Sequence, residues 1–234
     1  MLASFAIDRW KLPWNLSESL WGAAPLGALI ILGDLTKLID QSKARPSLSL
    51  QLWSTIVGLL MTFAILLVPV YVVAIRRHHA TREDLGFRPF DPGRAAVLIA
   101  WILVLDFAQL YVWAYVRLHL HWHTRSTPLY FGDGLGGFLL ALGLGSALVP
   151  VVEETFFRGF LFPGLRTRLP FWIAASASGL LFGLGHDTIM PRVAVGVLLA
   201  WVRERTGSVW PCIIAHALIN TTGFSIGFLR TGRV

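Results

Sequence analysis

Two adjacent carboxylates and, four residues after the second, a guanidinium stand at the end of the apolar run Leu135 to Val152, as Glu153, Glu154 and Arg158. Ionisable groups inside an apolar segment are costly, face a bundle interior or a wet cavity, and are read by default as a functional site. On a helix, residues four apart share a face, whereas neighbours diverge by about 100°. The spacing predicts that Glu154 pairs with Arg158, which leaves Glu153 free. Poor solvation makes a free carboxylate a better proton acceptor, so Glu153 is the candidate general base and Glu154 its support. The plainer reading of the same residues is a buried salt bridge that orients two helices, with a spare Glu facing water.

Two further pairs stand one helical turn apart. Phe182 precedes His186 by four residues, and His216 precedes Asn220 by four. Arg166 with Arg168, and Arg203 with Arg205, mark two turns that the positive-inside rule places on one side of a membrane. At 1.5 Å per residue, Glu153 and Glu154 rise about 20 Å above those turns, His186 about 25 Å and His216 about 15 Å. Three separate helices thus carry polar residues to similar depths. Glu153 with His186 can take a proton from water, while His216 and Asn220 can donate to an oxyanion, which are the parts for hydrolysing an amide. Glu153, His186 and His216 are also a plausible set for a divalent metal such as zinc, with a metal-bound water as the second route. Other intramembrane protease chemistries fit worse: there is no H-E-x-x-H, Gly145-Ser146-Ala147 lacks a strained turn and a base, and Asp133 has only Asp106 as a partner for a dyad.

The elements that must position these groups are apolar helices. Of 234 residues 55% are hydrophobic and only 14% charged, so the expected class is an all-α polytopic transmembrane bundle of about six to eight helices. Ten Trp residues suit anchoring at the bilayer interface. The net charge of +7 does not point to nucleic acid, because the basic residues sit in short loops between apolar runs. Lone Cys212 precludes an intrachain disulfide. No cleavable signal peptide is expected at Met1 to Trp10, and residues 1–19 are read as interfacial. Leu20 to Gly33 is a short first span or a re-entrant piece, Gln41 to Ser49 a polar linker, and Trp53 to Ile75 the clearest span. Arg76, Arg77, Arg82, Arg88 and Arg94 make the most basic loop, expected in the cytoplasm. Ala95 to Leu118 follows, interrupted by Asp106, which lines a polar cavity or bonds to a neighbouring helix. His119, His121 and His123 alternate in the next loop and read as an interfacial patch. Pro150 is expected to kink the helix just before the glutamates and free backbone carbonyls. Helices are then expected up to about Pro163, over Phe171 to His186, over Arg192 to Val202 with Gly207 as a C-cap, and over Val209 to Phe228.

At these residues the chain resembles the CAAX prenyl endopeptidase and bacteriocin-processing family, the glutamate-dependent intramembrane proteases called CPBP or ABI proteins. Glu153-Glu154-Thr155-Phe156-Phe157-Arg158, Phe182-Gly183-Leu184-Gly185-His186 and His216-Ala217-Leu218-Ile219-Asn220 match its three motifs in order. The likeness covers about residues 135–224. It divides one membrane domain into N-terminal helices and loops, 1–134, and catalytic helices, 135–229. The resemblance implies an endopeptidase that cuts near a substrate C-terminus or within a membrane-associated segment. It implies that Glu153 activates water with help from His186, that His216 and Asn220 stabilise the oxyanion, and that Glu154 and Arg158 brace the site with Phe182 in support. Implied partners are a membrane-associated peptide or protein and the lipid bilayer, in a bacterial inner membrane. The alternatives are a non-catalytic scaffold or immunity protein that keeps the fold, and a transporter or proton relay.

Overall fold

A computed structural model describes residues 10–39, 47–119, 130–186 and 188–232. These residues form seven helices and no strand: α1 Leu16–Ile39, α2 Leu48–Arg77, α3 Pro92–His119, α4 Gly134–Arg166, α5 Phe171–Leu184, α6 Ile189–Thr206 and α7 Trp210–Thr231. Helices α2, α3, α4, α7 and the Leu16–Gly33 part of α1 are long and apolar enough to cross a membrane. Their outward faces carry Trp53, Leu60, Trp101, Val104 and Leu139, as lipid contact requires, and the chain is an integral membrane protein. The linker at residues 41–49 falls largely outside the described residues, as do residues 1–9, His121, His123 and Asp187.

Helices α5 and α6 form a hairpin whose first arm is too short to cross: its 14 residues rise about 21 Å, against about 30 Å of hydrocarbon. The hairpin is closed by glycine. A Cβ on Gly196 would stand 2.7 Å from the Gly179 Cα, and one on Gly183 2.7 Å from the Val193 backbone nitrogen. Small residues let two helix backbones approach where lipid offers no hydrophobic drive for association.

The expected kink at Pro150 takes a definite form, and it occurs twice. Helix α4 is π-helical over Ala141–Leu148 and again over Thr155–Leu161. In that register the Val149 N–H donates to Leu144 O and the Phe162 N–H to Phe157 O, five residues back. The next donors would be Pro150 and Pro163, which have no N–H, so Gly145 O and Arg158 O lose their partners. Side chains from other helices replace them: Asn220 Nδ2 donates to Gly145 O at 2.9 Å and Arg203 Nε to Arg158 O at 3.0 Å.

The basic turns lie at one end, as expected. Val209 N–H donates to Gly86 O at 2.8 Å, Ser208 Oγ to Arg88 O at 2.7 Å, and the Phe87 ring meets Trp210 edge-on. The four turn arginines are not equivalent surface cations, however. Arg166 is fully buried and forks both oxygens of Glu204 at 3.1 Å, and Arg203 is also buried. Helix α6 continues to Thr206 rather than ending at Val202, because Arg203 and Glu204 find partners inside the bundle. Gly207 caps it with φ of 70°, a left-handed conformation that suits glycine. Asp106 is buried on α3 and accepts from Gln109 Nε2 of its own helix at 2.9 Å.

The hairpin packing predicts that Gly196→Ala lowers stability by about 1–3 kcal/mol, since the added methyl meets backbone rather than a movable side chain. Gly143→Ala, where a Cβ meets nothing within 4 Å, is the control and leaves the thermal midpoint in detergent unchanged or slightly raised. Equal midpoints for both variants would refute the close-packing account.

Candidate active site

The buried centre is Glu154. Its Oε1 accepts from Arg158 Nη1 at 2.9 Å and from His216 Nδ1 at 2.9 Å, so one carboxylate oxygen joins α4 to α7. Arg158 Nη2 donates to Gly196 O of α6 at 2.9 Å. Its guanidinium carbon lies 4.7 Å from the Phe182 ring centroid and 5.5 Å from that of Phe157. Glu154 and Arg158 are fully buried and His216 is 3% exposed. Charges so desolvated persist only when paired and hydrogen-bonded, and here hydrogen bonds, ion pairs and ring faces supply the compensation. With Glu154 Oε1 as the acceptor, His216 Nδ1 carries the proton between them, and Nε2 is the nitrogen turned toward Glu153.

Glu153, turned about 100° from Glu154, has no such brace. Its Oε2 is buried without a hydrogen-bond partner among the described residues and lies 3.8 Å from His216 Nε2, beyond hydrogen-bond length. The division expected from the spacing, Glu154 paired with Arg158 and Glu153 free, is the one observed.

His186 does not sit on its helix as expected. Helix α5 ends at Leu184, and His186 lies in the bend beyond Gly185. Its backbone N–H donates to Gly183 O at 3.0 Å, and its ring Nδ1 approaches Phe182 O at 2.7 Å. A carbonyl only accepts, so Nδ1 carries the proton and Nε2 presents a lone pair. The His186 side chain thereby caps one of the last carbonyls of its own helix. The Phe182 ring lies 4.7 Å from the His186 ring and meets His216 edge-on at 5.6 Å. One phenyl thus touches both imidazoles and the Arg158 guanidinium, a closer involvement than the helical spacing alone suggested.

Asn220 lies one turn beyond His216 on α7 and spends one N–H of its amide on Gly145 O, keeping the second. Gly145 is itself pressed by α7, since a Cβ there would stand 2.5 Å from the Phe224 ring. Residues that the sequence reading missed are Gly196, Gly145 and Arg203, two of which act through backbone carbonyls. The prolines five residues after Gly145 and Arg158 were the available signal. Glu153, His186 and His216 do not gather into a ligand group: among the described residues no three His, Cys, Asp or Glu side chains stand close enough to share a metal ion.

Fold and site together define an all-helical integral membrane protein with a Glu, Arg and His cluster buried between α4, α5, α6 and α7. Residues 135–222 match the family model described as type II CAAX prenyl endopeptidase Rce1-like. A protein of Bacillus subtilis (strain 168) described as "Putative membrane peptidase YdiL" is 31% identical over 85 residues, 35% of this chain. The matched segment spans 35% of that relative's length. No solved structure matches. These findings support a CAAX protease-like family for the segment that carries the three motifs.

The bracing predicts non-additive mutational costs. Arg158→Met leaves Glu154 buried without its cation and costs about 3–5 kcal/mol. Adding Glu154→Gln removes the stranded charge and recovers part of that loss. Denaturant unfolding of the two variants checks this, and additive losses would contradict it.

Proposed function

We propose that the chain is an intramembrane endopeptidase that hydrolyses a peptide bond in a membrane-associated or C-terminal substrate segment. The observation that carries this reading is Glu153 Oε2, buried without a hydrogen bond 3.8 Å from His216 Nε2, beside a neighbour that accepts two hydrogen bonds through one of its oxygens. A water between Glu153 and the substrate carbonyl gives one proton to Glu153 or to the lone pair of His186 Nε2 and attacks as hydroxide. The carbonyl oxygen becomes an oxyanion. His216, which takes that proton from Glu153 at Nε2, and the second N–H of Asn220 donate to it. Glu154 holds His216 by Nδ1 throughout, and Arg158 holds Glu154. The proton taken from water then passes to the leaving amine.

The family match and the relative's printed name support a protease, and the apolar helices support a substrate presented in or at the bilayer. A bacterial inner membrane is the proposed setting, since the named relative is bacterial. The zinc-dependent reading requires Glu153, His186 and His216 to close together; the outward Nε2 lone pair of His186 and the free Glu153 oxygen suit ligation. A scaffold or immunity protein would need the brace but gains nothing from Glu153.

Glu153→Gln removes a proton acceptor that makes no hydrogen bond through Oε2, so folding is retained while cleavage of membrane-tethered peptides falls by about 10²–10⁴-fold. The assay compares purified wild type and variant in lipid, with and without chelator. Wild-type cleavage that survives chelation and vanishes in the variant is the expected result. Loss on chelation, restored by zinc, would favour the metal route, and unchanged cleavage by the variant would remove Glu153 from the mechanism.

A further inference from the structure

The segment that leads into α1 lies outside the residues that the family model matches, yet it closes the base of the bundle. Burial alternates along it: Trp10, Leu12, Trp14 and Leu16 pack inward, while Lys11, Pro13, Asn15 and Ser17 are exposed. A period of two is that of extended chain lying with one face on a surface. The far end of this strap is fixed by a capping box, in which Asn15 Oδ1 accepts from the Glu18 N–H at 3.1 Å and Glu18 Oε2 from the Asn15 N–H at 3.1 Å. Glu18 Oε1 lies 2.8 Å from His78 Nε2, which ties the start of α1 to the end of α2.

What the strap covers is the second π-helical turn of α4, Thr155–Leu161, which carries Arg158. Two carbonyls of that turn take bonds from side chains outside α4: Arg158 O from Arg203 Nε at 3.0 Å, and Phe160 O from Trp14 Nε1 at 3.2 Å. Both donors depend on the strap, since Trp14 belongs to it and the Arg203 guanidinium carbon stands 4.9 Å from the Trp10 ring centroid. Trp14 is 1% exposed and stacks on Phe160 at 5.6 Å, and Trp10 meets Phe162 edge-on at 5.8 Å. Glycine permits the approach of α1 behind them, because a Cβ on Gly22 would stand 2.6 Å from the Phe160 ring. A π-helical turn is an uncommon backbone form, and its conversion to α-helix would rotate the residues on its two sides by about 100° relative to one another. Arg158 would then lose the alignment by which it reaches Glu154 Oε1 and Gly196 O together.

We propose that Trp14, with Trp10 acting through Arg203, is a positioning residue for the active site: the strap holds the π-helical turn in register, so that Arg158 braces Glu154 and Glu154 braces His216. For its effect on rate the assignment rests on the protease reading. The contacts of the two indoles are with residues 160–164 and 203, so they act through the α4 backbone and not on the substrate. The N-terminal segment is on this account part of the catalytic unit rather than an interfacial anchor.

The test uses the full chain in lipid and two readouts, steady-state cleavage of a membrane-anchored fluorogenic peptide and amide hydrogen exchange followed by mass spectrometry. Trp14→Phe keeps a ring over Phe160 and removes the N–H, Trp10→Leu removes the ring against Arg203, and Trp101→Phe, at an exposed outward position, is the control. The expected result for Trp14→Phe is a fall in kcat of about tenfold with KM within about twofold of wild type. Exchange rises over residues 155–166 and not over α2 or α3, a local opening that a general loss of stability does not produce. Trp101→Phe changes neither readout. Because both indoles hold one turn, the double variant loses less kcat than the product of the two single losses. Wild-type kcat and exchange in Trp14→Phe overturn the proposal, as does exchange that rises throughout the bundle, the mark of a merely structural role. Single losses that multiply independently overturn the sharing of one turn. Should Trp14→Phe fail to fold, Trp10→Leu carries both readouts. Failure of the protease reading appears separately, as a folded wild type that cuts no peptide, and exchange over 155–166 then decides the role of the strap.

Discussion

One carboxylate oxygen, Glu154 Oε1, holds the bundle in register. It accepts from Arg158 on its own helix and from His216 across on α7, while Arg158 reaches on to the Gly196 carbonyl of α6. Every member is buried, so a break at any point leaves a charge or a carbonyl without water to turn to. Ionic groups placed this deep do not stabilise a fold as cheaply as an apolar cluster of equal volume would. What they provide is direction. Apolar faces in lipid slide and rotate with little penalty, whereas a guanidinium with two named acceptors and an imidazole with one fix helix rotation and height together.

The same logic governs the backbone. A regular α-helix through 149–163 would satisfy its own carbonyls and need nothing from its neighbours. The π-helical turns with Pro150 and Pro163 instead leave Gly145 O and Arg158 O open, and Asn220 and Arg203 answer them from α7 and α6. Between these two anchors lie Glu153 and Glu154, and Arg158 is itself the second. The interruption that weakens α4 as an isolated helix therefore fastens the segment carrying the charged groups to the two helices that must face it. Arg203 extends the linkage to the basic end, where its guanidinium lies against Gly86 and 4.9 Å from the Trp10 ring centroid.

What the sequence made legible follows from how local each feature is. The pairing of Glu154 with Arg158 depends only on a four-residue spacing and stands in the structure; helix rise alone put Glu153, His186 and His216 at similar heights, and of these Glu153 and His216 lie 3.8 Å apart. Pro150 announced freed carbonyls, but not that Asn220 would take one, because nothing local to residue 220 records which helix it faces. The arginines at 166 and 203 read as surface charges since their partners, Glu204 and the Arg158 carbonyl, lie 38 and 45 residues away. His186 was placed on a helix that ends two residues earlier, at a Gly that periodicity passes over. The helix count and the all-α class came from apolar run lengths, which a bilayer constrains more tightly than water does.

The distribution of pairing itself argues about function. Glu154, Arg158, Arg166 and Glu204 each hold an oppositely charged partner within the protein, Glu154 through Oε1 alone, and even Asp106 has Gln109. Glu153 Oε2 is buried without a hydrogen bond, next to a residue of the same type that has two. Gln at 153 would keep the shape and avoid a desolvated negative charge beside a second one, so stability alone gives no reason for a glutamate there. A group held at such a cost is accounted for by something that enters and needs a proton acceptor. In the proposed hydrolysis water meets that need, and the bond from His216 Nδ1 to Glu154 holds His216 Nε2 3.8 Å from Glu153 Oε2.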